Sequence, residues 1–344
     1  MLLPWFAPPL YGNLETTSRP RGGGIEKKIA AFAAKLIVTG GCFWYVSRQI
    51  DLGQALAAVP LLNFRWTAVA VFLVVLQIPL LGVRWCNILD ALAVRNARVT
   101  IVATIAVSAI GVFFAQVLPS VAGEGVRAWL LVRLGCDWRS AVTSVVIDRG
   151  VGVGLLIAIG FAILLLLPSS LTALGGYREI VLVFYGGLLL AAAFGLLFAP
   201  RIAPWLSRWR YSGWVATLAV DARRVLLGPH GPMILGIGCL VHVLTIVVIW
   251  SLGRAQGLLL PVSDAATLFT VMISVALVPI SIGGWGLREV AVITLLGHHG
   301  VPPDKALLFS VCFGLALAVG SLPGALAWLL YSFAPSRRSV EPGR

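Results

Sequence analysis

Charge is what this sequence has least of: 11% of its 344 residues are Asp, Glu, Lys or Arg, against about 25% in a soluble domain. That scarcity leaves no room for a separate soluble domain of ordinary size. Acid is scarcer than base, with 13 Asp and Glu facing 26 Lys and Arg. In an apolar chain such an excess concerns loop orientation and anionic lipid headgroups before anything else, and no nucleic acid partner is expected. The five cysteines, Cys42, Cys86, Cys136, Cys239 and Cys312, form no CxxC pair. They read as small core residues, not as a disulfide framework or metal ligands. The sequence also has no HExxH, no GxSxG and no P-loop, since Gly22-Gly23-Gly24 precedes no lysine–serine pair. No cofactor or metal is expected, and an enzyme is not. Met1 to Gly24 lacks a basic segment ahead of an apolar one. It reads as part of a disordered cytoplasmic N-terminus, residues 1–26, and not as a cleaved signal.

What is present is hydrophobic: 59% of the chain, with a mean hydropathy of +0.98. Apolar runs of spanning length fall at 28–47, 65–84, 140–167, 178–199, 231–253 and 305–332, because about 20 apolar residues cross a bilayer. Two longer apolar stretches, 99–134 and 262–299, lie between them.

Each of these two carries the same interruption. The first contains Pro119, Gly123, Gly125 and Arg127; the second contains Pro279, Gly283, Gly284, Gly286 and Arg288. Proline and clustered glycine break helices. Broken helices in matching positions of two halves point to a transporter's binding site. If both stretches are hairpins that return to the side they left, seventeen Lys and Arg face inward and five outward (Arg48, Arg65, Arg178, Arg254 and Lys305). Single crossings would divide the same residues twelve to ten. The positive-inside rule selects the hairpins.

The expected fold is therefore an all-α polytopic membrane protein of two repeats, residues 27–168 and 169–333, with a cytoplasmic tail at 334–344. Each repeat holds three spanning helices plus one re-entrant helical hairpin. Three crossings per half is odd, so the repeats are inverted relative to each other. The arginine-rich segment Arg201 to Arg224, with Trp205, Trp209 and Trp214, reads as an amphipathic helix on an anionic leaflet or as an ordinary inner loop.

Few ionisable residues fall inside the expected membrane: Lys35, Glu124, Arg127, Asp148, Arg149, His242, Arg288 and Glu289. Such charges mark a pathway or an internal pair. Arg127, Arg149 and Arg288 are expected to line a cavity for an anionic group, since a guanidinium grips phosphate bidentately. Glu124, Asp148 and Glu289 would hold them when the site is empty. His242 reads as a hydrogen-bonded core residue.

The chain resembles the lysylphosphatidylglycerol synthetase transmembrane-region family, which includes the flippase half of the bacterial multiple peptide resistance factors. The resemblance rests on Arg84-Trp85, Pro119-x-x-x-Gly123-x-Gly125-x-Arg127, Asp148-Arg149, Pro279-x-x-x-Gly283-Gly284-x-Gly286-x-Arg288-Glu289 and Leu322-Pro323-Gly324. It implies a lipid translocator; joined to the arginine cluster and the loop charges, the expectation is a phosphate-bearing lipid carried across the bacterial inner membrane, with both termini cytoplasmic. It carries no soluble aminoacyl-transferase domain, which argues against synthesis of lysyl lipid. The resemblance leaves lipid identity, direction, coupling ion and oligomeric state open. A membrane-embedded lipid transferase, or a scaffold for a lipid-synthesis enzyme as partner, is the alternative reading.

Overall fold

The computed structural model describes residues 62–117, 120–167, 178–206, 213–277 and 286–333. The 1–26 and 334–344 tails, the 28–47 run, Lys35, Trp209, Pro119, Pro279, Gly283 and Gly284 lie outside the described residues.

The described chain is helical throughout. Its elements are α1 (Phe64–Ala91), α2 (Ile101–Val117), α3 (Ser120–Arg133), α4 (Trp138–Leu166), α5 (Arg178–Leu206), α6 (Gly213–Leu227), α7 (Gly231–Ala255), α8 (Val262–Leu277), α9 (Leu287–His298), α10 (Pro303–Gly320) and α11 (Leu322–Phe333). Among the described residues, five spans are long and apolar enough to cross a membrane: α1, α4, α5 as far as Pro204, α7, and α10 with α11 taken together as far as Tyr331. Residues 305–332 therefore form two helices. Ser321 caps α10, and Pro323 stands at the second position of α11, where a missing N–H costs nothing.

Helix starts follow their capping residues. Asn63 accepts the Arg65 N–H ahead of α1, and Asp137 accepts the Ser140 N–H ahead of α4. The bonds from Ser140 hold the exposed Asp137 carboxyl below its ordinary pKa. Gly286 opens α9 at a φ of 88°, a conformation that side chains rarely adopt.

Packing between these helices depends on small residues, since lipid tails give no hydrophobic drive for association. A Cβ on Gly82 would meet the Ile105 backbone, so α1 and α2 touch there. Gly111 of α2 and Gly123 of α3 cross in the same way, the Gly123 Cα side facing the Gly111 carbonyl. Gly320 packs on Val74 and Gly324 on the Ala109 carbonyl. The other small-residue pair of the sequence, Gly150 and Gly154, faces open space.

Residues 99–134 fold as two helices lying against each other, and their far ends meet. Asn96 donates to the Leu134 carbonyl at 3.2 Å, and the Cys136 thiol lies against the Val94 carbonyl. α8 and α9 also pack together, and Asp264, in the first turn of α8, meets His299, just past the end of α9, at 3.5 Å. Further correspondences join the two halves. α1 lies on α2 as α7 lies on α8, α3 lies on α4 as α9 lies on α10, and α1 and α7 pack on each other.

Candidate functional site

Between these helices lies a cavity of about 280 Å³, walled by α1, α2, α3 and α4 on one side and by α7 and α8 on the other. Its polar residues come from specific helix faces. Glu124 and Arg127 stand three apart on α3, so they share a face and pair at 2.9 Å. Asp148 lies ten residues past the start of α4, about 15 Å along its axis. There it takes Arg127 Nη1 on Oδ2 and Arg84 Nε on Oδ1, each at 2.9 Å. Arg149, on the neighbouring face of α4, donates to Glu124 Oε1.

The result is one chain of alternating sign: Arg84, Asp148, Arg127, Glu124, Arg149. Its inner members are buried, whereas the Arg149 side chain is 49% exposed and marks the mouth. Three guanidinium groups face two carboxylates; the four inner groups, Arg84, Asp148, Arg127 and Glu124, balance, and the surplus positive charge is that of Arg149 at the mouth. Buried ions need compensation.

Arg127 is the least satisfied of these groups. Its Nη1 serves both carboxylates, while Nε and Nη2 are buried with no hydrogen-bond partner among the described residues. Those two donors form one edge of the guanidinium, the edge that grips a two-oxygen anion side-on. The Trp85 ring lies 4.4 Å from its Cζ, and Trp85 Nε1 is tied to Ser144 Oγ at 3.3 Å, which fixes the platform. Ser108 Oγ, on the same cavity wall, is likewise buried without a partner among the described residues. His242 Nε2 meets the Gly152 carbonyl at 3.0 Å, the bonded core histidine the sequence suggested.

Four of the six expected charges therefore meet here: Glu124, Arg127, Asp148 and Arg149. Arg288 and Glu289 do not line this cavity. They form a second buried cluster, in which Arg288 Nη2 donates to Glu289 Oε1 at 2.7 Å and Ser310 Oγ to the same oxygen at 2.8 Å. Glu289 Oε2 accepts the Gly286 N–H, so this cluster fastens the start of α9 to α10. Gly123 sits at the helix crossing, and Gly125 faces open space.

Sequence reasoning gave no role to Arg84, Trp85 or Ser108. Arg84 closes the apolar run 65–84, which placed it at a membrane edge. The helix runs on through Ile88, Leu89 and Ala91, and these continue the buried spacing of Ile78, Gly82 and Trp85. That continued period was the available clue. No group of three or more His, Cys, Asp or Glu able to hold a metal occurs among the described residues.

A family model described as lysylphosphatidylglycerol synthase TM region matches residues 32–324. A search of curated proteins finds no match.

Proposed function

The chain belongs to the lysylphosphatidylglycerol synthase TM-region family, and from that premise we propose that it is a transporter, not an enzyme. It carries a lipid with an anionic, phosphate-bearing headgroup across the bacterial inner membrane. The headgroup passes through the central cavity while the tails stay in the bilayer. The observation that carries this reading is the Arg127 edge: two buried guanidinium donors without partners among the described residues, on a residue that lines the cavity, with the half-exposed cation of Arg149 at its mouth. A phosphate oxygen pair accepts from both donors at once. Crossing a membrane requires that hydration be exchanged for protein donors, or desolvation stops the headgroup.

In this reading α2–α3 and α8–α9 are re-entrant hairpins entering from opposite faces, and the halves are inverted repeats with both termini cytoplasmic. Helix lengths support it. α2 and α3 have 17 and 14 residues, about 25 and 21 Å, short of the roughly 30 Å hydrocarbon core. The matched packing of the two halves and the meeting of Asn96 with Leu134 and of Asp264 with His299 support it too. Arg288 and Glu289 serve in the second hairpin as a lock and not as headgroup donors.

The test is flipping of a fluorescent anionic lipid in proteoliposomes. Arg127→Ala should remain folded in detergent and lose transport, and Arg127→Lys should recover only part of it, keeping charge without the fork. Wild-type flipping by a stable Arg127→Ala protein would remove the reading.

A further inference from the structure

A second cavity, of about 480 Å³, lies far along α1 from its start and shares no lining residue with the central one. It sits where three spanning helices stop together. Asp90 and Ala91 end α1, Pro200 lies near the end of α5, and His230 precedes α7. α6 forms its remaining wall. With 15 residues α6 is outside the five spans, yet it exposes Val220 at 37% and Leu227 at 56% beside this cavity. A short helix showing both apolar and basic side chains at the end of three spans belongs at the bilayer boundary.

The polar lining has a definite sign. Asp90 is its one carboxylate among the described residues, and Arg95 already engages it at 2.7 Å. Arg223 spends Nη1 on the carbonyls of Leu196 and Leu197, which fastens α6 to α5. Arg224 is exposed and makes no hydrogen bond among the described residues, and Asp221, three residues back on α6, is near enough to interact with its charge. His230 adds an imidazole, its Nδ1 3.4 Å from Asn87 Oδ1.

We propose that this groove is a second lipid site, distinct from the transport cavity, which holds the phosphate of an anionic phospholipid from the leaflet at that end of the spans. Arg224 and Arg223 take the phosphate, and Val220 and Leu227 meet the first carbons of the tails. Guanidinium for phosphate, beside exposed aliphatic surface for acyl chain, fits neither a free ion nor a zwitterionic lipid as well. The proposal does not depend on what the central cavity carries.

The experiment is lipid retention by the full chain in detergent, counted by native mass spectrometry. The probes are dioctanoyl phosphatidylglycerol and dioctanoyl phosphatidylcholine, each with and without inorganic phosphate at equal concentration. Wild type should retain the glycerol lipid over the choline lipid. Arg224→Gln, at an exposed position that carries no structural bond, should weaken one retained copy about tenfold, the size of one charge-assisted hydrogen bond. The same loss should occur in an Arg127→Gln background, which removes the central site. Equal retention of both lipids, full retention by Arg224→Gln, or displacement by inorganic phosphate would each overturn the proposal. Arg223→Gln/Arg224→Gln should lose that copy completely. If the double variant instead unfolds through the lost α5 contact, the single variant still decides.

Discussion

Arg84 and Asp148, 64 residues apart, are joined by a 2.9 Å hydrogen bond from Nε to Oδ1, with both side chains buried. Arg127 takes the other oxygen, so one carboxylate holds two cations and three helices together. Removing it strands Arg84 and leaves Arg127 with Glu124 alone. Asp148→Asn should cost about 3–5 kcal/mol of stability, the range for breaking a buried pair from one side. Arg84→Met should cost less, because Asp148 keeps Arg127. Combining the two should restore part of the loss, since the stranded Arg84 is gone. Unfolding in detergent measures all four proteins; strictly additive losses would show that Arg84 and Asp148 do not couple.

That pair also shows where the sequence was readable. The membrane class, the broken stretches and the mutual partnership of the α3 and α4 charges were legible, because each leaves a local mark: hydropathy, proline with glycine, or a lone charge in an apolar run. Arg84, though part of the Arg84-Trp85 motif, showed no sign of its role, since an arginine at the end of an apolar run looks like a membrane edge until the next two turns are known to be buried. Arg288 failed in the opposite direction. Its motif copies that of Arg127, yet its carboxylate is the adjacent Glu289 and Ser310 also accepts from it, in contrast to Arg127, which reaches Asp148 on the next helix. Repeated motifs fix position in the fold, whereas the residue across the gap decides whether a cation is locked or left with spare donors.

The two glycines of the first motif should separate in a mutation test. A methyl on Gly123 would press on the Gly111 carbonyl at 2.5 Å and on Ala115 Cβ at 2.9 Å. Overpacking of this kind costs about 1–3 kcal/mol. Gly125 meets nothing within 4 Å. Gly125→Ala should therefore be neutral or slightly stabilising through better helix propensity. Equal effects from the two substitutions would contradict the close crossing of α2 and α3.

Topology is tested by labelling. In a background without native cysteine, single cysteines at Ala97 and Trp138, both exposed, should react with an impermeant maleimide from the same side of the membrane. Cysteines at Leu259 and Lys305 should react together from the opposite side. Labelling of Ala97 and Trp138 from different sides would mean that 99–134 crosses once and that the halves are not inverted.

Ser108 gives the sharpest separation of stability from function. Its hydroxyl is buried on the cavity wall and bonds to nothing among the described residues, so the folded state carries its desolvation cost without return. Such a cost is about 1–3 kcal/mol for an unsatisfied polar group. Ser108→Ala removes the hydroxyl and keeps the volume of the helix crossing nearly unchanged. The variant should match or exceed wild type in thermal stability. If the hydroxyl is kept because a headgroup oxygen receives it during passage, the same variant should flip anionic lipid several-fold more slowly, about tenfold for one hydrogen bond of roughly 1.4 kcal/mol. Ser108→Thr, which retains the hydroxyl, should recover rate at some expense in packing. A Ser108→Ala protein that is more stable and also transports at the wild-type rate would mean that the cavity does not use this donor. The headgroup would then be held by the Arg127 edge alone.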